Sequence, residues 1–138
     1  CTYFLPRICG MGNAMKLVLT GKVITAQEAL EMGLVTQLTE PENLMPTVRA
    51  LALDIAQNCA PVSVAMVRRM MWQMMGAKHP MDAHEDESRL LQWITSQPDA
   101  AEGINSFLEK RPPQYSMSPV KDLPDFYPLW RGRTFRGE

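Results

Sequence analysis

The segment from residue 61 to 75 limits the folds open to this chain more than any other. It begins with a proline, which suits the first turn of a helix, and then carries apolar side chains around most of the helix circumference. Only Arg68, Arg69 and Gln73 offer a polar strip. A helix of this kind needs cover on several sides. Its five methionines either fill a core or contact another polypeptide, and we expect the second because the chain has few elements to cover them.

Three helices are predicted ahead of this methionine-rich segment. A turn at Gly10-Met11-Gly12 leads into a helix over Asn13–Thr20, which a glycine ends. A capping box formed by Thr25 and Glu28 begins the second helix. Leu34–Leu38 is predicted to be a brief extended segment. The third helix carries one apolar stripe, formed by Leu44, Val48, Leu51, Ile55 and Cys59.

Two more helices and a different kind of tail are predicted after the methionine-rich segment. Met81–Thr95 forms a helix with an acidic first half. A second capping box, Asp99 with Glu102, begins the last helix, which a proline pair ends. The predicted buried stripe of this helix is Ala101, Ile104, Phe107 and Leu108. Residues 114–138 are rich in aromatic side chains and predict an extended tail that lies over a surface.

Length, charge and cysteine content exclude several classes of protein. The 138 residues allow one domain at most, and 14 Lys and Arg against 15 Asp and Glu leave no basic excess for binding nucleic acid. No stretch approaches the roughly 18 apolar residues of a membrane span. Three cysteines without CxxC spacing argue against a secreted disulfide framework and favour the cytoplasm. Because the first residue is Cys1 and not Met, we expect a processed product or a fragment, and the start of the chain lacks a signal-peptide pattern.

Few residues offer catalytic or metal-binding chemistry. His79 and His84 lack the i, i+4 spacing of a zinc-binding pair on one helix face. The acidic residues between Asp82 and Glu87 lack the loop glycine of a calcium site and are predicted to form a solvated helix face. Gly10-Met11-Gly12 lacks the third glycine of a dinucleotide-binding motif. The residues alone therefore predict no catalytic site and no metal site.

Several short motifs, taken in order, resemble the enoyl-CoA hydratase/isomerase (crotonase) superfamily. They are Leu5-Pro6-Arg7, Leu19-Thr20-Gly21, Ala26-Gln27-Glu28-Ala29, Gly33-Leu34-Val35, Ala60-Pro61 and the closing Phe107-Leu108-Glu109-Lys110-Arg111-Pro112. The resemblance extends from Cys1 to about Pro113. It implies the C-terminal portion of a crotonase-like protein, lacking the N-terminal catalytic core.

This resemblance implies a mainly α fold in three parts, with at most one short strand. Residues 1–38 would be the end of the spiral core, residues 39–113 the helical C-terminal (trimerisation) domain, and residues 114–138 an extended Pro/aromatic tail. The family's oxyanion hole and acidic catalytic residues would precede Cys1, so no catalytic residue is expected in the chain. The implied partners are that N-terminal core and identical subunits, in a trimer or hexamer.

The function implied by the resemblance belongs to the parent protein. It is the hydration of 2-enoyl-CoA thioesters in fatty-acid β-oxidation, with a Δ3-Δ2-enoyl-CoA isomerase as the alternative. Coenzyme A enters as part of the acyl-CoA substrate, and no separate cofactor is implied. Two functions of other classes stay open: a stand-alone helical oligomerisation module and a helical domain with its own ligand pocket.

Two residues match positions that the family places near coenzyme A. Phe107 and Lys110 correspond to an aromatic residue and a lysine near the CoA adenine and phosphates, often in the site of a neighbouring subunit. The alternative interpretation makes Phe107 part of the buried stripe. It makes Lys110 a cation that suits the dipole of a helix C-terminus.

Overall fold

The computed structural model describes residues 2–127, and this part of the chain is built from helices joined by short loops. The α-helices are α1 (Leu5–Thr20), α2 (Ala26–Glu31), α3 (Leu44–Asn58), α4 (Pro61–Met74), α5 (Pro80–Ile94) and α6 (Pro98–Glu109), with a 3-10 turn at Pro41–Asn43. No strand occurs between residues 2 and 127, and Leu34–Leu38 is irregular backbone. The predicted mainly α fold is confirmed.

Glycine and threonine set the ends of the first two helices. α1 starts earlier than predicted and breaks at Gly10, whose φ of 78° and ψ of 157° glycine adopts readily. Gly21 ends α1 in the left-handed conformation, as predicted. The predicted capping box of α2 is confirmed, because the Glu28 amide donates to Thr25 Oγ1 at 3.2 Å and the Thr25 amide donates to Glu28 Oε2 at 2.8 Å. These bonds with Thr25 lower the pKa of the Glu28 carboxyl.

The chain divides into two compact units, one ending at Ala50 and the other beginning at Leu51. In the first unit Cys9 and Ala14 are buried on α1. The core of the second unit consists of buried Val62 and Met66 from α4, Leu90 from α5 and Met117 from the segment after α6. Partly buried side chains surround it: Met70, Trp93, Ile94, Leu123, Phe126 and Tyr127.

The methionine-rich helix α4 divides its apolar side chains between core and solvent. Val62 is fully buried and Met66 packs as core filler, whereas Val67 and Met71 are exposed, the latter by 69%. The methionines therefore fill a core on one face of the helix, and contact of the exposed face with another polypeptide stays a prediction. No single helix between residues 2 and 127 is long and apolar enough to cross a membrane, and Pro41–Asn58 with α4 meets those criteria only as a bent pair.

The apolar stripes of α3 and α6 are exposed within the described part of the chain. On α3 the stripe residues Leu44, Val48, Leu51 and Ile55 all face solvent. On α6 the prediction of a buried stripe is wrong, because Ile104, Phe107 and Leu108 are exposed while Asp99 and Ser106 are buried. The physical reason is that the polar side of α6 holds the chain segment that follows it.

Asp99 binds this following segment and does not form the predicted capping box. α6 begins at Pro98 after Gln97, and the Asp99 side chain is only 3% exposed. Asp99 Oδ1 accepts hydrogen bonds from the Ser116 amide at 2.8 Å and from the Met117 amide at 3.2 Å. These charge-assisted bonds satisfy a buried carboxylate and bring Met117 into the core.

The described end of the aromatic tail packs against α4 and α5. The Arg89 guanidinium lies 4.3 Å from the centre of the Phe126 ring. The Tyr127 hydroxyl donates to the Ala65 carbonyl at 3.2 Å. The tail has no helix or strand through Tyr127, and hydrogen-bonded turns interrupt it at Ser118–Asp122 and Pro124–Tyr127. Trp130 and Phe135 also belong to the aromatic tail, but they lie outside the described residues.

Asp99→Ala should lower the free energy of unfolding of the chain by about 3 kcal/mol, because the buried Met117 amide and the Ser116 amide both lose a charged acceptor. Urea denaturation measures this change. The matched control is Asp122→Ala, which removes an exposed carboxylate that accepts from the Ser118 amide at 2.7 Å within a local turn. The control should cost less than about 1 kcal/mol. Equal losses for the two variants would contradict the anchoring role of Asp99.

Candidate functional site

The C-terminal end of α6 presents both of the predicted site residues to solvent. Phe107 is 82% exposed, so it is not part of a core stripe in the described chain. Lys110 follows the last helical residue and is also exposed. Within residues 2–127 no carboxylate lies within ion-pair distance of the Lys110 ammonium. An exposed ring and an exposed cation therefore lie three residues apart at one helix end.

Lys110 has a left-handed backbone, with φ of 54° and ψ of 41°. Its amide donates to the Phe107 carbonyl at 3.3 Å, and the next amide, from Arg111, donates to the Ser106 carbonyl at 3.1 Å. This bond pair is the Schellman motif that closes many helices, and glycine usually holds its left-handed position. Lys110 is the one non-glycine residue of positive φ among residues 2–127.

A lysine in this conformation is less stable than glycine by about 1 kcal/mol, because its Cβ crowds the following carbonyl. Backbone strain of this kind is often found at functional sites, which makes Lys110 a candidate site residue.

Lys110→Gly should raise the free energy of unfolding by about 1 kcal/mol, because glycine relieves the strain. Thermal or urea denaturation of the chain measures the gain. The matched control is Leu108→Gly, two residues earlier and also exposed, which should cost about 1 kcal/mol because glycine is a poor helix former there. A loss of stability in Lys110→Gly would show that the lysine is not strained.

A clamp of charged side chains holds the backbone around Lys110; we use the term for Glu102, Arg111 and the Gln114 amide. Arg111 donates from its two terminal nitrogens to the two Glu102 oxygens, at 2.6 and 2.9 Å. The Gln114 amide donates to Glu102 Oε1 at 2.6 Å. Arg111 Nε also donates to Glu109 at 2.6 Å. The clamp thus joins the body of α6 to the chain on the far side of Lys110.

The clamp shifts the ionisation of both charged partners. Hydrogen bonds from Arg111, followed by the bond from the Gln114 amide, lower the pKa of Glu102 to about 2. Hydrogen bonds to Glu102 and then to Glu109 raise the pKa of the Arg111 guanidinium. Glu102 and Arg111 are therefore both charged throughout the physiological range.

Glu102 should make the stability of the chain fall in acid. Its folded-state pKa of about 2 lies below the ordinary 4.5, so its contribution is complete above pH 4.5 and is lost as the pH falls towards 2. Wild type and Glu102→Gln should therefore differ in urea midpoint at pH 7 and converge near pH 2. An NMR titration of the Glu102 carboxyl carbon checks the same claim, and a value near 4.5 would contradict it.

The sequence analysis did not predict the clamp or the cap of α5. Glu102 and Arg111 are nine residues apart with a helix end between them, so no helical spacing marks them as a pair. His79, which the sequence analysis considered only as a metal ligand, caps α5, since its Nδ1 accepts from the Met81 amide at 3.1 Å. Within residues 2–127 no three metal-binding side chains cluster.

Two cavities lie in the second unit, and neither contains a nucleophile joined to a base. A groove of about 560 Å³ between α4 and α5 is mainly apolar, with Ser63, His84 and Ser88 among its lining residues. No hydrogen bond joins either hydroxyl to the His84 imidazole in the described chain. An open pocket of about 490 Å³ lies beside Trp93, with Asp122 and Asp125 at its wall.

Comparison with known proteins identifies the family. The sequence pattern of the enoyl-CoA hydratase/isomerase family matches residues 1–118. The chain belongs to the enoyl-CoA hydratase/isomerase family. Its helices correspond to the helical C-terminal part of the crotonase fold, as the resemblance implied.

Similar members of the enoyl-CoA hydratase/isomerase family are about twice as long as this chain or longer. An enoyl-CoA hydratase of Alternaria alternata is 34% identical over 115 residues, which cover 83% of this chain and 38% of that protein. An (E)-benzylidenesuccinyl-CoA hydratase of Thauera aromatica is 36% identical over 116 residues, covering 83% and 44%. The crystal structure of a probable enoyl-CoA hydratase/isomerase from Mycobacterium abscessus aligns with a TM-score of 0.81 at 30% identity, covering 85% of this chain and 47% of that one. The chain therefore spans less than half the length of each.

Proposed function

We propose that this chain is the C-terminal part of an enoyl-CoA hydratase, where it completes the coenzyme A site and takes part in subunit assembly. The parent enzyme adds water to 2-enoyl-CoA thioesters in fatty-acid β-oxidation. The observation that carries the proposal is the end of α6, where exposed Phe107 lies three residues before Lys110. The Lys110 backbone is left-handed, and its ammonium has no ion-pair partner among residues 2–127. Membership of the family and its hydratase relatives support the choice of reaction.

The two residues suit the nucleotide end of coenzyme A. An exposed aromatic ring stacks on a base such as adenine, and this contact is worth about 1–3 kcal/mol per base. A lysine ammonium binds phosphate as a point charge with three donors. Phe107 and Lys110 would therefore hold the part of the substrate farthest from the reacting double bond.

The catalytic groups are proposed to lie in the remainder of the parent protein. Hydration needs a positioned acid and base and donors for the thioester oxygen as negative charge develops on it. The relatives have more than half of their length outside the matched region, which supports placing this set there. We infer that the chain is inactive alone and acts with that region and with identical subunits, as a trimer or hexamer.

The exposed apolar stripes of α3 and α6 support the assembly role. Contiguous apolar surface of this kind usually marks a contact with another polypeptide. The proposed setting is the cytoplasm, and coenzyme A arrives with the substrate, so that no separate cofactor takes part.

Product analysis with the full-length protein tests the proposed reaction. We expect a 2-enoyl-CoA to become a 3-hydroxyacyl-CoA. Conversion of a 3-enoyl-CoA to a 2-enoyl-CoA without hydration would instead establish the alternative isomerase function. If neither thioester reacts, the proposed function is wrong.

The second candidate function is a stand-alone helical oligomerisation module, which the exposed α3 stripe favours. It predicts that the chain by itself forms larger particles as its concentration rises. Light scattering over a concentration series distinguishes the two, because a monomer at every concentration would count against the module.

A further inference from the structure

We propose that Glu102 is a positioning residue for Lys110, acting through Arg111 and the Gln114 amide. The inference rests on the proposed binding of coenzyme A at the end of α6. Glu102 lies on the helix two turns before Lys110 and would not itself touch the substrate. Its role is to hold the backbone on the far side of Lys110 through Arg111 and the Gln114 amide.

The clamp fixes the chain on both sides of Lys110. On the helix side Glu102 belongs to the regular part of α6, and on the far side Arg111 and Gln114 are the residues it binds. The paired bonds from Arg111 restrict both distance and angle, which a single contact would not do. The backbone of Lys110 therefore spans a closed loop between two fixed points.

Without the clamp the Lys110 backbone would relax to a less strained conformation. A residue with a Cβ favours negative φ, so the left-handed turn persists only where the surroundings enforce it. A change of φ at Lys110 would break the two Schellman bonds and move the ammonium relative to Phe107. Holding both groups in place before the ligand arrives removes an ordering cost from binding.

A pure charge effect and a positioning effect predict opposite changes in phosphate binding when the Glu102 carboxylate is removed. On charge alone, removing the Glu102 carboxylate would strengthen the binding of a phosphate near Lys110, because one nearby negative charge is gone. If Glu102 positions Lys110, the same change weakens binding. Glu109 provides the matched control, because it also binds Arg111 but lies on the exposed side of the clamp.

The experiment is steady-state kinetics of the full-length protein with a 2-enoyl-CoA and with the corresponding pantetheine thioester, which lacks adenine and phosphates. Lys110→Ala should raise KM for the CoA substrate about 10-fold with kcat unchanged, since a charged contact to phosphate is lost. Glu102→Gln and Arg111→Lys should each raise that KM by about 3-fold to 10-fold, because the paired geometry is lost. Glu109→Gln should leave KM unchanged or lower it. None of these variants should alter KM for the pantetheine thioester.

A double variant separates positioning from an independent effect. If Glu102 acts through Lys110, Glu102→Gln adds nothing to the KM of Lys110→Ala. Multiplied effects, or a lower KM in Glu102→Gln, would overturn the inference. So would a fall in kcat with the pantetheine thioester, which would make the clamp merely structural. An unchanged KM in Lys110→Ala would instead refute the proposed coenzyme A site.

Discussion

Phe107→Ala in the full-length protein should raise KM for a 2-enoyl-CoA by about 10-fold to 100-fold and leave kcat nearly unchanged. Loss of stacking on a base costs about 1–3 kcal/mol, and this contact is the same in the ground state and the transition state. Because Phe107 is 82% exposed in the chain, its truncation should not unfold the helix end. Steady-state kinetics on CoA and pantetheine thioesters measure the effect.

The controls for this prediction come from a polar residue of the same helix and from the substrate. Asn105→Ala removes an exposed side chain outside the apolar stripe of α6 and should leave KM for the CoA thioester unchanged, because asparagine has no ring to stack on adenine. The pantetheine thioester has no adenine, so Phe107→Ala should not affect its KM. An equal rise in KM for both substrates would place Phe107 away from the nucleotide.

Met66→Ala should lower the free energy of unfolding of the chain by about 2–5 kcal/mol. Met66 is buried between α4, α5 and the tail, and its truncation leaves a cavity that close-packed neighbours fill only in part. Met71→Ala on the same helix removes the same atoms from an exposed side chain and should change stability by less than about 0.5 kcal/mol. Urea denaturation of the two variants measures the difference.

Equal losses for Met66→Ala and Met71→Ala would mean that α4 is covered on both faces in solution. That result would favour self-association of the chain through the face that carries Val67 and Met71. Repeating the denaturation at several protein concentrations would then identify the association, because the stability of an oligomer depends on concentration.

Local signals in the sequence predicted the parts of the fold that depend on neighbouring residues. The capping box at Thr25 forms within a single turn, and Gly21 and Pro61 mark helix ends through backbone conformation alone. The same signal at Asp99 gave a wrong prediction, because its carboxylate binds amides 17 and 18 residues further along. No pattern among neighbouring residues indicates that Asp99 binds so distant a segment.

Periodicity predicted which residues share a face and not which face is covered. On α6 the stripe that contains Phe107 was correctly grouped, but the tail packs on the polar side of the helix and leaves the stripe exposed. The candidate site was likewise only partly predictable from the sequence. Phe107 and Lys110 could be named from the resemblance, whereas the strain at Lys110 and the clamp around it exist only once the chain is folded.

The most direct test of the account compares this chain with the full-length protein in a 2-enoyl-CoA hydration assay. The chain by itself should fold to a helical structure, as circular dichroism would record, and hydrate the thioester no faster than buffer does. The full-length protein should hydrate it in the same assay. Hydration by the isolated chain, or an inactive full-length protein, would contradict the assignment of this chain as the non-catalytic C-terminal part of an enoyl-CoA hydratase.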